Sequence, residues 1–360
     1  MRAAVSCLVF ALSIGGVTLA FGENNLTSKP TFRGAKTVVL NRAQISDAQR
    51  RAAAGEADAE FVLGAIYRQG TSLLAKNDSE AIRWFRKAAD QNFSDAQVAL
   101  GDAYASGEGV TQDYAEAARW YSKAAQAGDA IAAHDMGVLY YLGRGVPHND
   151  SRAFDWFLRA ARKGLADAEC MLGFMYDRGI GGHRDLGEAA RLQRAAAEQG
   201  LAQAQAELGT MYARGEGVHK DMAEAFRWMS AAAQQGEPSA QNNIGYFFEK
   251  GIGIKQNYGE AFRWFALAAE QGSPAAQANL GDMYANGHGV PLDYIEAYKW
   301  FNLAAAQDLR QASEAQKRIA QIMTDRQVRA AQSRISLWLQ QHGTIKRNGL
   351  QHSIIYFAKP

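Results

Sequence analysis

Hydrophobic and polar positions recur along this chain with a period of 36 residues. Seven glycines mark it: Gly64, Gly101, Gly137, Gly173, Gly209, Gly245 and Gly281, the first gap being 37 and the next five 36. One residue before each stands a large aliphatic (Leu63, Leu100, Met136, Leu172, Leu208, Ile244, Leu280), and three after it an aromatic (Tyr67, Tyr104, Tyr140, Tyr176, Tyr212, Phe248, Tyr284). Five before it is always alanine, from Ala59 to Ala276. Offsets of −5, −1 and +3 step by four, so they share one face of a helix, and the glycine beside them lets a neighbouring helix approach closely. This is helix A. A second series predicts helix B: Trp84, Trp120, Trp156, Leu192, Trp228, Trp264 and Trp300 are each 36 apart. Seven residues before each is Asn or Asp, and three beyond that is Glu in every copy except Arg152. An Asx N-cap followed by an acid at the third helical position satisfies free amides and complements the helix dipole.

Between the helices runs a loop of the form Gly107-Glu108-Gly109-Val110, and helix B ends at Gly128, Gly164, Gly200, Gly236 or Gly272, with Asn92 and Asp308 at the two ends. Glycine, asparagine and aspartate are the residues that tolerate a left-handed residue after a helix. The paired glycines have neither the Gly-Lys-Ser/Thr nor the preceding strand of a phosphate loop, so they read as turn formers. One such hairpin cannot bury its apolar face, whereas a stack of seven can. The alanines permit close packing, and the tryptophans and tyrosines are expected to fill the remaining space. The predicted fold class is therefore all-α: seven 36-residue helix-turn-helix repeats over 56–308, stacked as a solenoid. Residues 44–55 read as a half-repeat cap with Ser46 as N-cap. Residues 309–342 read as capping helices, the last opened by Thr324-x-x-Gln327 and placing Val328, Ala331, Ile335 and Trp338 on one face.

The pattern Ala…Leu-Gly-x-x-Tyr-x-x-Gly-x-Gly-Val-x-x-Asp-x-x-x-Ala-x-x-Trp-x-x-x-Ala-Ala-x-x-Gly, matched almost position by position over 95–128, resembles the Sel-one-like repeat, a relative of the tetratricopeptide repeat. The resemblance implies a right-handed superhelical α-solenoid and a non-catalytic scaffold for other proteins, with exported bacterial members as a familiar subgroup. The chain departs from the pattern in repeat 4, where Leu192 replaces tryptophan and Gly182-His183 stand where other repeats carry valine; looser packing or a bend is expected there. It also lacks the paired cysteines of the secreted relatives linked to penicillin binding, so that property does not carry over.

Composition adds constraints. Of 360 residues 48% are hydrophobic and 21% charged, values of a folded chain. The net charge of +2 offers no basic excess for nucleic acid. Two cysteines, Cys7 and Cys170, exclude a disulfide framework and a cysteine-built zinc site, and Cys170 is expected to be buried as a small hydrophobe. Arg2, the apolar run Val5 to Ala20 and the small residues after it have the layout of a signal peptide over 1–22. The expected location is periplasmic or secreted, with no membrane span after cleavage; an uncleaved N-terminal anchor is the alternative. Residues 23–43 read as an extended lead-in. The basic tail 343–360 carries Asn348-Gly349 as a hairpin turn signal.

Chemistry is scarce. Ser-x-x-Lys, Gly-x-Ser-x-Gly, His-Glu-x-x-His and the EF-hand pattern are all missing, so no catalytic residue, cofactor or metal is expected. His183 and His219 share a loop register in consecutive repeats, with His148 one place away, but stacked helices lie ~10 Å apart, too far for common ligation. Variation against the constant period marks a candidate partner-binding stripe on helix A, at offsets −2, +1 and +4 from the glycine: Asp135, Val138, Tyr141; Met171, Phe174, Asp177; Glu207, Thr210, Ala213; Asn243, Tyr246, Glu249. Aromatics mixed with acids on a concave solenoid face suit capture of a protein segment, such as part of an envelope or sensor protein. Two other classes compete: an envelope enzyme such as a weak β-lactam hydrolase, and a cell-wall or polysaccharide-binding protein.

Overall fold

A computed structural model describes residues 41–342. The expected signal peptide, most of the lead-in and the basic tail lie outside the described residues. Those described form seventeen α-helices and no strand. The chain divides into two units, with the boundary between Arg184 and Asp185, inside repeat 4.

In the first unit, α1 (Arg42–Ala53) is followed by three complete hairpins and one further helix A. The A helices are α2 (Ala57–Gln69), α4 (Ser94–Ser106), α6 (Ala130–Leu142) and α8 (Ala166–Arg178); the B helices are α3 (Asp78–Asp90), α5 (Tyr114–Gln126) and α7 (Asp150–Ala161). The second unit begins with B helix α9 (Leu186–Glu198) and continues through A helices α10 (Ala202–Arg214), α12 (Pro238–Lys250) and α14 (Pro274–Asn286). Its other B helices are α11 (Met222–Gln234), α13 (Tyr258–Glu270) and α15 (Tyr294–Ala305), and it ends with α16 (Arg310–Ala320) and α17 (Asp325–His342). Inside each unit successive helices pack on one another, the arrangement of a stack, except that α17 packs on α15 and not on α16.

The caps follow the sequence. Asn77, Asp113, Asn149, Asp185, Asp221, Asn257 and Asp293 each accept from the amide at the third helical position. The glutamates there turn outward and pair with a cation three residues on, as Glu188 does with Arg191 at 2.6 Å. Asn92 and Asp308 adopt φ of 62° and 65°, the left-handed conformation. Thr324 and Gln327 form the expected reciprocal capping box. The first cap differs from expectation. Asn41, not Ser46, caps α1, reciprocally with Gln44, and the helix begins at Arg42. Ser46 lies one turn inside, within the helix that Asn41 and Gln44 have already opened, although Gln49 stands three residues after it.

The core is built on a column that the period does not advertise. The residue after each tryptophan is the deep one: Phe85, Phe157, Phe265 and Phe301 are all 2% exposed or less. Each lies flat against the helix-A glycine of its own repeat. A Cβ on Gly245 would sit 2.6 Å from the Phe265 ring, and one on Gly281 2.8 Å from Phe301. The glycines are therefore seats for a side chain and are not interchangeable with alanine. The tryptophans divide: Trp120, Trp228 and Trp300 are buried, whereas Trp84, Trp156 and Trp264 are half-buried, with cations over their rings, such as Lys87 at 4.3 Å from that of Trp84. At the C-terminus α17 supplies the missing next layer. Trp338 meets Trp300 edge-on at 6.3 Å and donates its indole N–H to Glu270 at 2.7 Å. Ala331, Ile335 and Trp338 are buried, and Val328 packs against the same cluster. Cys170 is buried.

Candidate protein interface

Helix A is apolar nearly all round, whereas helix B has one apolar face. An element of the first kind is enclosed on most sides. That decides the fate of the variable stripe. In the first unit Asp135, Val138, Tyr141 and Met171 are buried, and in the second Thr210 and Asn243 are, as is Ala213. These side chains present no surface to a partner, a correction to the stripe as read from spacing. Asp135 faces His134, whose Nδ1 lies 3.0 Å from its carboxylate, while Thr210 donates to the Ala206 carbonyl at 3.0 Å. Burial pushes the Tyr141 phenol above its ordinary pKa.

Five positions remain at a surface, all half-buried: Phe174 and Asp177 in the first unit, Glu207, Tyr246 and Glu249 in the second. They fall into a recurring arrangement. On α8, Phe174 has the Arg178 guanidinium 5.9 Å over its ring, with Asp177 paired to Arg178 at 3.0 Å. On α12, Tyr246 has Lys250 at 5.7 Å from its ring, and Glu249 pairs with Lys250 at 2.6 Å. Each is a half-buried aromatic with a cation and an acid one turn on, at the end of helix A next to the glycine cap.

The loop histidines keep separate surroundings. His148 Nδ1 lies 2.8 Å from the Tyr141 carbonyl, His183 stacks edge-on to Tyr176, and His219 is exposed. Among the described residues no three His, Cys, Asp or Glu side chains gather as metal ligands. No helix among them is long and apolar enough to cross a membrane.

Sequence reasoning missed a polar seam. Gln241 on α12 donates to the Ala233 carbonyl at the end of α11 (3.3 Å), adding a second donor to a carbonyl that also accepts from the Gly236 amide. It accepts in turn from Gln271 at the end of α13 (2.8 Å), which also donates to the Gly236 carbonyl (3.0 Å). Gln277 repeats this with the Ala269 carbonyl and with Gln307, and Gln205 with the Ala197 carbonyl and Gln235. The 36-residue recurrence of glutamine at 205, 241 and 277, and again at 235, 271 and 307, was the signal that could have found it.

The Sel1 repeat model matches seven consecutive segments: 57–93, 94–129, 130–165, 166–201, 202–237, 238–273 and 274–309. Among solved structures, the chain is similar to a Sel1 repeat protein from Oxalobacter formigenes, with 33% identity, a TM-score of 0.62, and 77% of this chain and 80% of that one covered. It is also similar to a protective antigen of uropathogenic Escherichia coli with an SLR fold (24% identity, TM-score 0.48, covering 84% and 95%). A third is an immunity protein from Pseudomonas aeruginosa (22%, TM-score 0.39, 59% and 81%). No curated protein matches the chain. Sel1 repeat proteins generally mediate protein–protein interaction. On seven matched repeats and an all-helical stack of hairpins, this chain belongs to the Sel1 repeat family.

Proposed function

We propose that the protein is a non-catalytic interaction scaffold of the bacterial envelope that captures polypeptide segments on the exposed ends of its A helices. The observation that carries this reading is the pair of aromatic–cation–acid arrangements, Phe174–Arg178–Asp177 and Tyr246–Lys250–Glu249. An aromatic with a wet edge, flanked by both charges, provides contact area at low entropic cost and polar groups that fix register. Export rests on the layout of residues 1–22.

A photo-crosslinking residue at Tyr246, with fractionation of periplasm, membrane and cytoplasm, tests both parts. Capture of one envelope protein, weakened in the F174A/Y246A double variant while its circular dichroism is unchanged, is the expected result. Undiminished capture by that variant overturns the helix-A assignment. Recovery from the cytoplasm overturns export. Turnover of nitrocefin by the purified protein would establish an enzyme instead.

A further inference from the structure

Each repeat must cover the aromatic that the next helix A presents three residues after its glycine. Helix B does so with side chains two residues before and two after its tryptophan. Phe154 lies edge-on to Tyr176 (5.1 Å between centroids), Phe226 to Phe248 (5.9 Å) and Phe262 to Tyr284 (5.5 Å). Where the earlier position is not aromatic, an arginine at the later one takes over: Arg86 donates to the Tyr104 hydroxyl beside Ile82, and Arg194 lies over Tyr212 beside Ala190. Repeat 2 has neither. Its two residues are Ala118 and Ser122, and Tyr140 receives no ring and no guanidinium from α5. A cleft of about 590 Å³ opens there, walled by Trp120, Tyr140, Val146 and Met136 over a floor of Ala115 and Ala118.

A third departure from the repeat converges on the same place. Arg152, which stands where the other six repeats carry glutamate, lies 5.4 Å over the Tyr140 ring and donates to its hydroxyl at 3.1 Å. Lys123 lies on the cleft, 4.0 Å from the Trp120 ring. Of the other charges lining it, Glu116 is paired with Arg119 at 2.6 Å. Neither Lys123 nor Arg152 has an ion-pair partner among the described residues. The net surplus is positive.

We infer that this cleft receives an aromatic side chain of a partner polypeptide, placed edge-on to Tyr140 as Phe154, Phe226 and Phe262 are placed in their own repeats, with a flanking carboxylate of the partner meeting Lys123 and Arg152. The geometry of an edge-to-face pair and the charge surplus specify an acidic–aromatic motif in preference to an aliphatic or basic one. The inference rests on the scaffold reading but not on the helix-A ends, which lie elsewhere.

The test is saturation-transfer NMR on the full chain with three short capped peptides: Asp-Phe-Asp, Asp-Leu-Asp and Lys-Phe-Lys. The expected result is transfer to the phenylalanine ring of Asp-Phe-Asp, with both other peptides weaker by about tenfold. A118F, which places a ring where three other repeats carry one, is expected to abolish the signal and raise the melting temperature. S122R, which imitates Arg194 over Tyr212, is expected to weaken binding without filling the floor. F174A/Y246A is expected to keep the signal, which separates this site from the helix-A assignment. Absence of transfer with the parent chain, or transfer undiminished from the parent's in A118F, overturns the proposal; equal binding of Lys-Phe-Lys overturns its charge component.

Discussion

The two units are built from one repeat yet differ along the glutamine seam. In residues 185–342 it is continuous, with three successive pairs each bridging three helices. In residues 41–184 it starts and stops. Gln91 donates to Glu60 at 2.8 Å and to the Gly55 carbonyl at 3.1 Å. Gln97 then donates to the Ala89 carbonyl, but its own Oε1 is buried without a partner, because position 127 is alanine where the second unit has glutamine. Ala133 and Lys163 end the series in the next repeat. The same helical scaffold thus tolerates an unsatisfied buried acceptor in one unit and closes every pair in the other, which shows that the seam is added stability and not a condition of the fold.

The largest expected effect tests what the units share. Phe157→Ala and Phe265→Ala each remove the ring seated on a helix-A glycine, and each should cost about 3–5 kcal/mol in urea unfolding. A clearly smaller loss at either would break the claim of a common core. The next separates the units. Gln241→Ala should cost about 1–3 kcal/mol, since Gln271 and the Ala233 carbonyl both lose a partner, while Gln97→Ala should cost well under that. Equal losses would show that the orphan acceptor carries no penalty. The comparison sharpens with a gain: Ala127→Gln should stabilise the first unit by about 0.5–1.5 kcal/mol, read as a raised melting temperature. Ala127 has φ −74° and ψ −1°, nearly the backbone of Gln235 (−82°, 1°) and Gln271 (−79°, 3°), so the new amide should reach Gln97. The smallest effect concerns Glu188, held below the ordinary carboxylate range by hydrogen bonds from Arg191. The native pKa is the lowered one, so this pair stabilises at neutral pH and its contribution fades as pH falls from the ordinary carboxylate value through the native one. Glu188→Gln should cost only a few tenths of a kcal/mol at pH 7, given the exposed partner, and nothing near pH 2.

What was legible in the sequence follows from how local each constraint is. Caps and turn residues were read residue by residue, because one side chain or one backbone angle decides them, as at Asp113 and Asn92. The seat against the glycine was not, because the column Phe85, Tyr121, Phe157, Gln193, Met229, Phe265, Phe301 keeps bulk but not identity. The variable stripe misled for a related reason. Variation along a constant period suggests solvent, yet Val138, Met171 and Asn243 vary inside the core, each fitted to its own neighbours. The cleft beside Tyr140 shows only when three departures in two repeats, Ala118, Ser122 and Arg152, are brought together in space.

Two turns describe different kinds of necessity. At Gly128 φ is +92° and an added Cβ would meet nothing within 4 Å; at Gly145 φ is +68° and it would run into the Tyr114 carbonyl. At the first an L side chain is strained but has room, and Asn92 and Asp308 carry one at the equivalent turns; at the second the added carbon also has no space. The turn at Gly128 asks for a left-handed residue, and a semisynthetic chain carrying D-alanine there would adopt that angle without strain and surrender less freedom on folding. The inter-repeat turns are thus a constraint of backbone handedness, and the second loop glycine is also a constraint of volume at Gly109, Gly145, Gly181, Gly217 and Gly289, though not at Gly253.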